Sequence, residues 1–156
     1  MEDIIQTTPA EVISIDNRSS SQTVPFRIRS GTKAIVSASD KVLLLKEQHA
    51  SGSTFWTLPG GGIEPSESLL EGLTRELFEE LRCQSLIREP VGTVWYAHLS
   101  RRNTFSTYAV FECSLLSTPL PSKQEGILDH QWVSPANLPS STLPQVRYLL
   151  RSEVNH

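Results

Sequence analysis

Residues 60–83, GGGIEPSESLLEGLTRELFEELRC, narrow the possibilities most: a glycine-rich turn runs straight into a helical stretch crowded with acids. Wound as a helix from about Ser66 at ~100° per residue, the chain brings Glu76, Glu79 and Glu80 within an arc of roughly 100°. Carboxylates ~5 Å apart repel by ~3 kcal/mol per pair at an effective dielectric near 20, so protons or cations must neutralise such a face. Carboxylate oxygens on a rigid helix are hard ligands suited to Mg²⁺ or Mn²⁺, ions that keep several waters and complete their coordination on substrate phosphates. A divalent metal is therefore the first reading of the acidic arc.

The opposite arc carries Leu70, Leu73, Leu77 and Leu81, an apolar stripe expected to pack on a sheet. Gly72 falls one turn before Glu76 on the acidic side, where a missing side chain leaves room for a ligand or a close backbone, at up to ~1 kcal/mol of helix stability relative to Ala. The bland alternative is a solvated acidic face with i, i+4 support from Arg75 to Glu79. The glycines immediately upstream tilt the reading towards a site.

Gly61, five residues, Glu67, seven residues, Arg75-Glu76-Leu77, one residue, then Glu79-Glu80: this spacing resembles the signature of the Nudix hydrolase family at six polar or glycine positions and one apolar one. The family pattern closes with a glycine and an apolar residue, places held here by Arg82 and Cys83. Cysteine serves as the small apolar member. Arginine is a departure, because glycine at a helix exit supplies a left-handed backbone that costs other residues roughly 1–2 kcal/mol. The helix is expected to run on for a residue or two or to leave by another route.

At 156 residues and 38% hydrophobic content, the chain suits one domain with a proper core. A net charge of −3 gives no electrostatic case for binding a nucleic-acid backbone or a membrane. Cys83 and Cys113 form neither a metal-ligand spacing nor a disulfide framework and read as buried thiols of a reducing compartment. No apolar run approaches a membrane span, and the acidic N-terminus lacks a signal design, so the expected address is the cytoplasm.

Along the chain, residues 1–24 read as an N-terminal strand or arm, with alternation at 11–16. A hairpin follows, of residues 26–38 and a strand whose residues 42–45 are buried; then a short strand at 54–58 stopped by Pro59, and the Gly60-Gly61-Gly62 turn. Strands are expected at 86–87, 93–99, 103–116 and 127–133, with a proline-rich loop at 117–126 and a terminal helix at 143–151 that turns Val146, Leu149 and Leu150 inward. The pattern is α+β. The resemblance implies an α/β/α sandwich, a mixed sheet between helices, as a domain over residues 25–156.

The resemblance further implies hydrolysis of a nucleoside diphosphate linked to another moiety, such as ADP-ribose, a nucleoside triphosphate or a nucleotide sugar, with Mg²⁺ or Mn²⁺ as cofactor. Glu79 and Glu80 would be the core metal ligands, the Gly60 carbonyl would add an oxygen, Glu76 would be a further ligand or the base, and Arg75 would orient its neighbouring acid. In parts of the family the base comes from a late loop, for which Glu125 leads, with Glu112 and Asp129 behind it. Outside that signature, Trp56 is a candidate to stack on a base and Lys46 to meet phosphate; within it, Gly61 is a candidate to meet the ligand through its backbone. Lys33, Arg29 and Arg101 are further phosphate candidates that also read as surface charges; Phe55, Trp95, Tyr96 and Tyr108 also read as strand packing. His49 and His98 read as ordinary isolated histidines. Two alternatives stand beside the enzyme: a nucleotide-sensing module of the same fold without turnover, which has no need of the whole acid set, and an enzyme of capped RNA, disfavoured by the charge balance. A homodimer accords with the resemblance.

Overall fold

Two nearly unbroken apolar runs, Ala34-Ile35-Val36 and Val42-Leu43-Leu44-Leu45, are buried on both faces, as expected for strands with a layer on either side. The computed structural model describes residues 4–6, 27–98 and 103–154. Its strands are β1 (Ile4–Gln6), β2 (Arg27–Ala38), β3 (Lys41–Gln48), β4 (Thr54–Thr57), β5 (Gly60–Gly62), β6 (Ser85–His98), β7 (Thr104–Leu115) and β8 (Asp129–Val133). Among the described residues the helices are α1 (Leu69–Leu81) and α2 (Pro144–Val154), with a 3₁₀ turn at Lys123–Glu125. The alternation at residues 11–16, Arg101 and most of the expected N-terminal arm lie outside the described residues.

The strands follow the order β1-β6-β7-β2-β3-β4, with β5 added to β2 and β8 to β3. The sheet is mixed because β2 and β7 run parallel from Arg27↔Thr104 to Val36↔Cys113, whereas the other pairs are antiparallel. β6 is continuous through the two stretches expected as separate strands; the ladder slips on either side of Pro90, which has no N–H to donate.

Alternation sorts the central strands between two cores. Ala34, Val36, Leu43 and Leu45 join Leu73, Leu77 and Leu81 of α1, while Ile35, Val42 and Leu44 join Val146, Leu149 and Leu150 of α2. The helices therefore cover opposite faces. Each fully buried leucine contributes about 1.5–3 kcal/mol relative to an exposed one. The expected stripe holds for Leu73, Leu77 and Leu81 but not for Leu70, which is 50% exposed one turn too early to reach the sheet. Among the described residues no helix is long and apolar enough to cross a membrane.

Helix α1 starts three residues later than the periodicity suggested. Ser68 caps it, accepting from the Glu71 N–H while Glu71 accepts from the Ser68 N–H, a reciprocal capping box. At the other end the helix neither runs on nor finds another exit: Arg82 itself takes the left-handed conformation, at φ 58 and ψ 30. The last carbonyls are met by the proline-rich loop, with Leu120 N–H donating to Leu81 O and Ser122 N–H to Glu80 O. Relief of the left-handed strain should outweigh glycine's extra unfolded entropy, so Arg82→Gly is expected to stabilise the protein by about 0.5–1 kcal/mol, read as a rise of roughly 2 °C in the thermal midpoint.

Candidate active site

The residues expected to form a turn that also meets the ligand, Gly60–Gly62, are the short strand β5, antiparallel to β2 with Lys33 opposite Gly60 and Thr32 opposite Gly61. Only glycine fits at 60: its φ is +127, and a Cβ there would stand 2.1 Å from the Thr32 carbonyl oxygen. At 61 a Cβ would lie 2.8 Å from the Glu76 carboxylate. These two positions let β5 lie against both β2 and the acidic face of α1. Gly72 is different: the space beside it is filled by the Ile63 side chain, 2.6 Å from where a Cβ would be, so it serves packing and leaves no room for a ligand.

The acids are held from both sides. Glu80 is buried, and its Oε1 accepts the Gly60 N–H at 2.7 Å. Arg75 grips Glu67 with two parallel bonds, Nε to Oε2 at 2.7 Å and Nη2 to Oε1 at 2.9 Å. The same guanidinium donates to Glu76 Oε1 at 3.0 Å, Glu79 Oε2 at 3.1 Å and the Gly62 carbonyl at 2.9 Å. Arg75 thus joins β5, the Glu67 loop and the helix acids. Beneath them the buried Lys33 ammonium donates to Gly60 O at 3.1 Å and Leu58 O at 3.3 Å.

Burial pushes Glu80 well above the ordinary carboxylate range, with Lys33 pulling the other way. Burial likewise raises Glu76 against the opposing pull of Arg75, and raises Glu47 against that of Lys33. For Lys33 itself burial favours the neutral amine, but Glu47, Tyr108 and Glu80 together outweigh it and hold the pKa above the usual lysine value.

Glu67 moves in the opposite direction, down to about 2, through its hydrogen bonds from Arg75 first and the Glu64 N–H second. A pKa depressed from an unfolded value near ~4.3 stabilises the fold fully above that pH and progressively less as the pH falls towards about 2. Denaturant titrations of wild type and Glu67→Gln should therefore differ most at neutral pH and converge between about pH 4 and pH 2, with the wild type more stable.

The donor set fits a hard dication. Each of Glu76, Glu79 and Glu80 commits one carboxylate oxygen to Arg75 or Gly60, and among the described residues the second oxygen of each has no hydrogen-bond partner. In this arrangement no three of the described acids converge on one point. Glu125 sits on the exposed 3₁₀ turn, and among the described residues no hydrogen bond or ion pair connects it to the helix acids. Glu112 lies on β7 and Asp129 opens β8, where its carboxylate accepts the His130 N–H.

Beside β5 opens a cleft of about 210 Å³, lined by Gly60–Gly62, Arg29, Ser30, Lys33, Glu47, Phe55, Thr57, Tyr96, Ser106 and Tyr108. Trp56 and Lys46 do not line it. In the β3–β4 ladder Lys46 opposes Trp56 and Glu47 opposes Phe55, so each cross-strand pair shares a face and the two pairs point opposite ways. Lys46 sits over the Trp56 ring at 5.9 Å, and Trp56 belongs to the core beneath α2. Gly61 does line the cleft. Sequence reasoning passes over Glu47 and Thr57; the available signal is the period-2 pattern, which extends the buried Leu43 and Leu45 face to position 47.

A family model for the NUDIX domain matches residues 27–152. The nucleoside triphosphatase NudI of Escherichia coli O1:K1 is 33% identical over 91 residues, covering 53% of this chain and 64% of that protein, so the chain spans less than two thirds of the length of this curated relative. The crystal structure of the MutT protein from Methanosarcina mazei superposes with a TM-score of 0.73 at 21% identity, covering 85% of this chain and 97% of the other. The solution structure of the Escherichia coli ORF135 protein gives 0.71 at 23% identity, covering 83% and 91%. At these identities the two structures share the fold.

Proposed function

Because the chain belongs to the Nudix family, we propose that it is a divalent-metal-dependent hydrolase cleaving the pyrophosphate bond of a nucleoside diphosphate linked to another moiety. The observation that carries the reading is the triplet Glu76, Glu79 and Glu80, each with one oxygen tied down and one open, set against Gly60 and Gly61 at the edge of the cleft. Among the candidate substrates, a nucleoside triphosphate is put ahead of ADP-ribose or a nucleotide sugar, a preference supported by the name of the NudI relative, a nucleoside triphosphatase.

Glu79, Glu80 and the Gly60 carbonyl would hold Mg²⁺ or Mn²⁺. When bound, such an ion supplies charge that offsets the diphosphate and makes water a better nucleophile. The chain's own groups do the rest. The Gly60 N–H anchors Glu80, and Arg75 holds one oxygen each of Glu76 and Glu79, which leaves their second oxygens free to take a ligand. Glu76, with its raised pKa, suits the group that takes the proton from water as the oxygen attacks phosphorus and the bridging P–O bond breaks.

The test is incubation with Mg²⁺ and a panel of nucleoside triphosphates, ADP-ribose and nucleotide sugars, with release of nucleoside monophosphate, pyrophosphate or phosphate as readout. Turnover of at least one is expected; tight binding with no turnover would make the chain a sensor and sink the reading. In the same assay Glu76→Gln should lower kcat by about 10²-fold or more, whereas Glu125→Gln should leave it within about twofold. A loss at Glu125 would move the base to the loop.

A further inference from the structure

We propose that Glu47 sets the base preference of the cleft by accepting a hydrogen bond from an exocyclic amino group, so that amino-bearing nucleobases are favoured over their oxo counterparts. The inference rests on the nucleotide-hydrolase reading above and names the part of the substrate that reading leaves open.

Several polar groups along the wall are already committed. The Lys33 ammonium donates to the Gly60 and Leu58 carbonyls and lies over the Tyr108 ring at 5.1 Å. The Thr57 hydroxyl bonds the Tyr96 phenol. Glu47, half-buried at the end of β3, takes no hydrogen bond among the described residues, so the cleft presents an open carboxylate. An ionised carboxylate accepts only.

Its surroundings decide what it accepts from. The Glu47 carboxylate repels phosphate from its own end of the cleft, whose positive charge comes from Arg29 and Lys33. The phosphates then belong towards the β5 backbone and the acids of α1. Phe55, opposite Glu47 on β4, and the buried Tyr96 and Tyr108 give that end flat apolar surface, with the Phe55 ring also stacked on His49 at 4.2 Å. Flat walls with an open carboxylate suit a planar base with an N–H₂ edge: cytosine, adenine or guanine. Uracil or hypoxanthine would set an oxygen against the carboxylate, leaving two desolvated acceptors face to face.

The experiment compares kcat/KM for CTP against UTP and for ATP against ITP, pairs alike in sugar and phosphates, in the wild type and in Glu47→Gln. A site built to hydrogen-bond one edge discriminates against its absence by about 10²-fold or more, so a CTP:UTP ratio of at least that order is expected in the wild type. Glutamine can turn its amide to donate, so Glu47→Gln should bring the ratio near unity chiefly by improving KM for UTP. Calorimetric binding of CMP and UMP without metal gives the same comparison independently of turnover. A wild type indifferent to the amino group, or favouring the oxo base, overturns the proposal, as does a ratio unchanged in the variant. Absence of all turnover with the binding preference intact would instead defeat the hydrolase reading and leave this one standing.

Discussion

Glutamine in place of Glu80 is expected to lower kcat/KM by about 10³-fold or more while the protein stays folded and as stable as before. On the proposed role of Glu80, the size of the loss would follow from removing a charged ligand of the ion that offsets the diphosphate, an effect of several kcal/mol at about 1.4 kcal/mol per decade. The intact fold follows from geometry: a glutamine Oε1 can still accept the Gly60 N–H that Glu80 accepts at 2.7 Å. Stability should be unchanged or higher without metal, because Glu80 is a buried carboxylate raised by desolvation, with Lys33 its main opposing charge and Glu47 and Glu76 repelling it, a burden that glutamine removes. Initial rates with Mg²⁺ and a thermal melt in chelator read the two halves. Full activity in the variant would show that the buried acid is no ligand.

Gly60→Ala should be the most damaging single methyl that can be added to this chain's central sheet. The residue sits at φ +127, and its Cβ would fall 2.1 Å from Thr32 O and 2.7 Å from Lys33 Cα. Both neighbours are backbone atoms of the paired strand and cannot swing aside, unlike the end of a flexible side chain. Steric overlap and left-sided φ together are expected to cost about 4 kcal/mol or more, a fall of roughly 10 °C in the thermal midpoint, with β5 detached from β2 and activity lost. Gly61→Ala meets first the Glu76 carboxylate at 2.8 Å, the end of a side chain rather than backbone, so it should fold nearly normally and show its effect in turnover. Equal loss of stability in both variants would contradict this account of β5.

The acidic face is legible from residue spacing alone, because position along a helix decides which side chains share a side, and the same rule puts Leu73, Leu77 and Leu81 on the sheet. The central strands are legible as continuous apolar runs, and the terminal helix as a periodic one. What escapes is whatever depends on partners distant in sequence. Nothing at positions 60–62 announces a strand; the pairing with residues 31–33 makes them one. Nor does Leu70 differ from Leu73 in the sequence, although only the latter reaches the sheet. Lys46 and Trp56 are plausible ligand contacts on residue type alone, and the cross-strand register turns their neighbours Glu47 and Phe55 towards the cleft instead.

By itself, then, the sequence determined the identity and spacing of the charged groups on α1, the glycines ahead of them and the apolar faces, since each is set by local periodicity. The tertiary structure decided that Lys33 would lie buried between Glu80 and Glu47, that Arg75 would tie three acids to β5, and which face of β3 and β4 would line the cleft. The physical reason is that a charge's surroundings are made by strands paired across long stretches of chain: Lys33 meets the Gly60 carbonyl 27 residues away, a contact that exists only once β2 and β5 have paired.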